Sequence, residues 1–162
     1  MTRAPLDSAS RSVQFDRLLR VWAKQWSGNG LRGEIEHTAL ADHRGHFHWL
    51  LRVQGEEKDV ITIWLSLRQR SVYVETEVTP APEENHDVLY RYLLVKNATL
   101  RMVHLAIGPE DGIYLVASMT VDDIDVQRLD ELVGACATYV DEIYPTAMSI
   151  GLASVYRRRP PR

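Results

Sequence analysis

Cysteine is nearly absent from these 162 residues: Cys136 is the one copy. No internal disulfide framework can form, and a reducing compartment, the cytoplasm, is expected. Lysine is scarce too, only Lys24, Lys58 and Lys96, while arginine is plentiful and scattered. Scattered arginine reads as the codon bias of a GC-rich genome rather than as a phosphate-binding fork. No apolar run approaches the ~18 residues of a membrane span, and Met1-Thr2-Arg3-Ala4-Pro5 leads into no signal-peptide core. Charge of one sign is also missing: 19 Lys+Arg against 22 Asp+Glu leave a net −3. That balance argues against a nucleic-acid backbone or an anionic membrane as the main partner. A Gly-x-Ser-x-Gly elbow, a phosphate-cradling glycine loop and a Cys-x-x-Cys pair are all lacking. What is present, 45% hydrophobic and 25% charged residues, suits one soluble domain with one core.

Period organises the chain. Residues 1–9 are small and polar and read as a flexible N-terminus. From Ser10, Phe15, Leu18, Leu19, Trp22 and Trp26 form one stripe of an amphipathic helix, which Ser27-Gly28-Asn29-Gly30 stops. The spacing then changes to two. Phe47, Trp49, Leu51 and Val53 alternate with His46, His48, Leu50, Arg52 and Gln54, and Ile61, Ile63, Leu65 and Leu67 with Val60, Thr62, Trp64, Ser66 and Arg68. A third run sets Val72, Val74 and Val78 against Tyr73, Glu75 and Glu77. Short polar turns between these runs predict an antiparallel meander with one buried face, and Glu34–His37 could add an edge strand. Thr79-Pro80-Ala81-Pro82 ends it.

A helix follows from about Asn85, a candidate N-cap, to Lys96, with Asn97 as its stop. Residues 101–107 and 113–119 read as strands joined through Asp111-Gly112, a hairpin signal. A last helix begins near Asp125, and Pro145 should kink or break it. The expected fold is α+β, one antiparallel sheet with helices on one face in the order α-β-β-β-α-β-β-α. It forms a single domain over 10–156, and 157–162 is a basic flexible tail.

Pro82-Glu-Glu-Asn-His-Asp-Val-Leu-Tyr-Arg-Tyr-Leu-Leu-Val-Lys-Asn-Ala-Thr-Leu100 resembles the signature of YbjN-domain proteins, the actinobacterial type in particular. Asp111-Gly-Ile-Tyr-Leu-Val-Ala-Ser-Met119, Tyr144-Pro145 and Gly151-Leu-Ala-Ser154 agree with it. The likeness covers roughly residues 44–156 and not the first helix or residues 31–43. It implies the fold of type III secretion chaperones, dimerisation and binding of extended peptide. It supplies no catalytic residues.

Candidate chemistry is thin. His37, His43, His46 and His48 cluster in sequence. His46 and His48 stand at the i, i+2 spacing that can hold zinc, with His37, His43 or Asp42 as a third ligand. With no cysteine nearby, the histidines read better as exposed sheet-face residues, so no metal and no cofactor is expected. The carboxylate pairs Glu34/Glu36, Glu75/Glu77 and Asp123/Asp125 could serve as acid and base. They read better as a solvated face and a helix N-terminus. Cys136 reads as core, and His86 as packing near a helix start.

The outer sheet face is more informative. It carries Leu50, Trp64, Tyr73, Tyr114 and Val116 among His48, Arg52, Thr62, Glu75 and Glu77, apolar area rimmed by polar groups, the composition of an interface. The expectation is a non-enzymatic, chaperone-like or regulatory domain. It would bind a protein or peptide client, or a second copy of itself, through that face. The alternative is a small-ligand or metal-responsive sensor built on the His37–His48 cluster.

Overall fold

The computed structural model describes residues 7–26, 34–37, 42 and 44–160. The Ser27–Gly30 stop, His43, Pro161 and Arg162 lie outside the described residues, as do the side chains of Trp26, Glu34, Glu36 and His37. The elements are α1 (Ser8–Trp26), β1 (Glu34–His37), β2 (Phe47–Gln54), β3 (Val60–Arg68), β4 (Ser71–Thr79), α2 (His86–Asn97), β5 (His104–Ile107), β6 (Ile113–Thr120) and α3 (Val126–Gly151). The expected order holds, and the optional edge strand is present as β1.

Six strands form one sheet in the order β1-β2-β3-β4-β6-β5, every neighbouring pair antiparallel. The meander keeps sequence order through β4, and then β6 takes the place beside it. β5, reached through α2, is left at the far edge. In register, Trp49 faces Leu65 and Leu51 faces Ile63 across β2–β3, and Leu65 faces Val74 across β3–β4. These residues share one face because side chains alternate along a strand.

That inner face is covered by α1 and α3. Phe15, Leu19 and Trp22 of α1 and Leu129, Leu132, Cys136, Val140 and Ile143 of α3 are all buried with it. The Phe15 ring stands edge-on to Trp49 at 4.9 Å. Each indole N–H that the core takes in is given an acceptor: Trp49 Nε1 donates to Asp16 Oδ1 at 3.1 Å and Trp22 Nε1 to Asp130 Oδ1 at 3.0 Å. Helix α2 packs Leu89 and Leu93 inward beside α3 and β5.

Four local expectations need correction. α1 starts at Ser8, inside the segment read as flexible, because Asp7 caps it, its Oδ1 accepting from the Ser10 N–H at 2.7 Å. Asn85 precedes α2 in a left-handed conformation and makes no side-chain cap. Its amide instead donates to the Ile150 carbonyl at 3.0 Å, tying α2 to the end of α3. Strand β5 is shorter than 101–107, because Met102 turns left-handed before it. Pro145 does not break α3, which runs unbroken from Val126 to Gly151. A proline removes one helix hydrogen bond, but Val140, Ile143, Pro145 and Ala147 are all buried, and packing on both sides of the proline carries the helix through.

Candidate functional site

Among the described residues no helix packs over the centre of the outer sheet face, where Trp64 and Tyr73 are exposed. Its middle row runs across four strands, Leu50 opposite Trp64, Trp64 opposite Glu75, and Glu75 opposite Val116. β1 extends that row at Glu36, whose backbone pairs with Leu50. A second row sets His48 beside Ser66, Ser66 beside Tyr73, and Tyr73 beside Ser118. On the third, Arg52 faces Thr62 and Glu77 faces Tyr114. The seven residues singled out from sequence therefore lie on one face, but with unequal exposure. Leu50 is almost covered at 6%, whereas Trp64 is 50% and Tyr73 37% exposed. His48, Arg52, Tyr114 and Val116 are half-buried.

Carboxylates and cations share this face, Glu75 and Glu77 standing among Arg52, Arg68 and Lys58. Burial first, then Glu77, Glu75 and Glu110, push the Tyr114 phenol up. Glu77 has Lys58 for company, Nζ to Oε1 at 3.6 Å. Lys58 Nζ also donates to the carbonyls of Glu77 and Val78, and its burial pushes the ammonium down. Glu75 has no cation at ion-pair distance among the described residues. Arg68 lies over the Tyr73 ring, 4.4 Å from its centroid, a cation–π contact made by the chain itself.

His48 is fixed from both ends. Its Nδ1 lies 2.9 Å from Ser66 Oγ and its Nε2 2.9 Å from Asp42 Oδ2. A carboxylate only accepts, so Nε2 carries a proton and donates to Asp42, and the Ser66 hydroxyl, able to donate or accept, meets Nδ1. Asp42 Oδ1 also accepts from the Arg44 and His46 N–H groups at 2.8 and 2.9 Å. The His46 amide chiefly, then the His48 ring, hold the Asp42 carboxyl well below the usual carboxylate range.

The order Ser66–His48–Asp42 has the connectivity of an acyl-transfer relay. Acyl transfer also calls for donors, backbone amides or side chains, aimed at the oxyanion. β3 is paired on both sides, so the amides around Ser66 belong to the ladders. What the arrangement does is tie Asp42 to β2 and, through its carboxylate, the Arg44 and His46 amides. His46 precedes β2, its Nδ1 3.7 Å from the Asp42 oxygen that His48 approaches. Among the described residues no three His, Cys, Asp or Glu side chains are grouped to hold a metal.

Of the segments that carry the family likeness, 111–119 puts Tyr114 and Val116 on this face, whereas 82–100 and 151–154 meet at a junction of their own. Pro82 and Leu89 close on Gly151 so tightly that a Cβ there would stand 2.9 Å and 3.0 Å from them. The Gly151 carbonyl accepts from the Glu83 and Glu84 N–H groups, and Glu84 Oε1 from the Ser154 N–H. Asn97 lays its amide along β5, donating to the Leu105 carbonyl at 3.1 Å and accepting from its N–H at 2.6 Å. These residues build architecture.

Alternation places Glu75 on this face with Glu77 but marks neither Ser66 nor Arg68 as a site residue. Strand register sets Ser66 beside His48 and Glu75 beside Trp64, and only the folded chain lays Arg68 over Tyr73.

Among solved structures, the chain is similar to one in a chaperone–effector complex, HopA1-SchA, with TM-score 0.54 and 13% identity, covering 87% of this chain and 99% of that one. It is similar to one in the heterodimeric ExoU-SpcU complex of the Pseudomonas aeruginosa type III secretion system (TM-score 0.51, 16% identity, 77% and 93% covered). A third likeness is to the Yersinia pestis type III secretion chaperone SycH in complex with a fragment of YscM2, with TM-score 0.51, 16% identity, and 80% and 98% covered. The fold is thus that of secretion-chaperone structures. Among sequence relatives, an uncharacterised Mycobacterium leprae protein is 29% identical over 130 residues, 74% of this chain and 71% of the relative. An uncharacterised Mycobacterium tuberculosis protein is 31% identical over 109 residues, 67% of this chain but only 60% of the relative's length. The model of the YbjN family, described as "Putative bacterial sensory transduction regulator", matches residues 31–147. The chain belongs to the YbjN family.

Proposed function

We propose that this chain is a non-enzymatic, cytoplasmic, chaperone-like module that binds a segment of a client protein on the outer face of its sheet. The observation that carries this is the half-exposed Trp64 beside Tyr73, contiguous with Leu50, Val116 and Tyr114, on a sheet whose other face is filled by α1 and α3. Covering apolar area gains about 25 cal/mol per Å², and an extended or amphipathic segment suits a flat strand surface. The solved chains of like fold come from complexes, one described as chaperone–effector and one as heterodimeric. A histidine-based sensor has less behind it, since both ring nitrogens of His48 already face protein oxygens.

Crosslinking pull-down from native lysate with the wild type and Trp64→Glu tests the reading. Specific client bands should be lost in the variant while its circular dichroism is unchanged. An identical client profile from a folded Trp64→Glu chain refutes it.

Pairing of two copies is a second reading, and α2 is the element that favours it. It exposes Leu94 at 71% and Val95 at 64%, with Val88 on the same side as Val95. A dimer through α2 would leave the sheet face open to a client.

A further inference from the structure

We infer that the client segment recognised on the outer face presents an arginine or lysine beside an apolar residue, its charge seated between Trp64 and Glu75. This deepens the client-binding reading above and rests on it. Trp64 and Glu75 are direct cross-strand partners, a relation that places side chains about 5 Å apart at Cβ. Trp64 offers an exposed indole face and Glu75 a carboxylate with no cation at ion-pair distance among the described residues. Half-buried Val116 continues the row with apolar surface on one side, while Leu50, almost covered, closes it on the other. A cation with an apolar neighbour thus meets, in order, aromatic, acidic and apolar side chains. The same face already shows the contact in miniature, Arg68 stacked on Tyr73.

The surrounding potential agrees. Glu75, Glu77 and Glu110 all act on the Tyr114 phenol, and the cations on this face are committed: Arg68 over Tyr73, Lys58 to Glu77 and the strand carbonyls, and Arg52 to a partner of its own. With those cations committed, Glu75 is the carboxylate of the row left to meet an incoming cation among the described residues. A basic, apolar protein segment is the occupant whose charge complements the face.

The test uses the full chain and three synthetic peptides of equal length, leucine alternating with arginine, glutamine or glutamate, measured by fluorescence anisotropy of the labelled peptide. The arginine peptide should bind roughly five- to tenfold more tightly than the glutamine peptide, with the glutamate peptide weakest. Rising ionic strength should erode that preference. Glu75→Gln, nearly isosteric, should bring arginine-peptide binding down towards that of the glutamine peptide. Trp64→Leu should weaken both, the arginine peptide more.

Equal binding of arginine and glutamine peptides, unaffected by Glu75→Gln, overturns the inference and leaves the client reading standing. Binding of no peptide overturns the inference too. If Trp64→Glu then also leaves the client profile unchanged, the reading beneath it fails as well. Sedimentation showing a dimer that Trp64→Glu abolishes would assign the face to a second copy instead.

Discussion

Thr76 occupies a core position of β4, fully buried between Val74 and Val78, and its hydroxyl has no hydrogen-bond partner. An unsatisfied buried hydroxyl costs about 1–3 kcal/mol, and valine has nearly the same shape. Thr76→Val should therefore raise the urea midpoint, stabilising the fold by about 1 kcal/mol. A lowered midpoint would show that the hydroxyl has a partner. Asp42 carries the clearest acid-side dependence. Its carboxyl is held below its ordinary value, so its contribution is present above that value and lost as pH falls through and below it, from about pH 4 downwards. Asp42→Asn should flatten the stability-versus-pH slope in that window and free the His48 ring, which NMR of the imidazole signals would report. Cys136 is fully buried and its thiol pushed up to about 12, so Ellman's reagent should titrate it only after unfolding.

The turn joining β2 to β3 shows how one element disciplines another. Asp141, in the middle of α3, accepts from the N–H groups of Glu56, Glu57 and Lys58 at 2.8, 3.0 and 3.1 Å. Asp141→Ala strips three amides of their acceptor and should cost about 1–3 kcal/mol, with faster hydrogen exchange confined first to residues 56–58. Asn97 does the same service for the sheet edge. By pairing with both backbone groups of Leu105 it occupies part of the free side of β5, and unpaired strand edges invite other strands. On α2, Leu94 and Val95 face outward. If two copies pair there, Val95→Glu should shift sedimentation to the monomer and leave client binding on the sheet intact. Unchanged sedimentation would remove α2 from that role.

At the scale of the whole molecule, the tail and the hairpin tip come together. Arg159 makes a two-pronged contact with Asp59 at 2.7 Å for each bond, and Arg158 pairs with Glu57. Exposed ion pairs are worth at most about 1 kcal/mol each, so they hold residues 158–159 lightly compared with the core. The sheet divides the molecule into a face closed by α1 and α3 and a face left open, and that division is what a binding surface requires. Much of it was legible in the chain. Period two put Trp49, Leu51, Ile63 and Leu65 together because a one-residue slip would expose them all. The same alternation assigned Leu50, Trp64 and Tyr73 to the other face.

Read alone, the chain settles what depends on neighbours a few residues apart: which segments are helices or strands, which face of each is apolar, and where Asp125 and Asn97 end a helix. Family-like residues at 82–100 and 151–154 are equally plain in it, though not what they do. Long-range packing settles the rest. No periodic pattern can say that β6 inserts beside β4 and sends β5 to the edge, since that order depends on where α2 docks. Nor can spacing reveal that Glu75 stands opposite Trp64, that Ser66 holds His48, or that Asp141 caps a turn more than eighty residues earlier in the chain. Such contacts form only when the sheet closes, because hydrogen bonds and register join residues by distance in space and not along the chain.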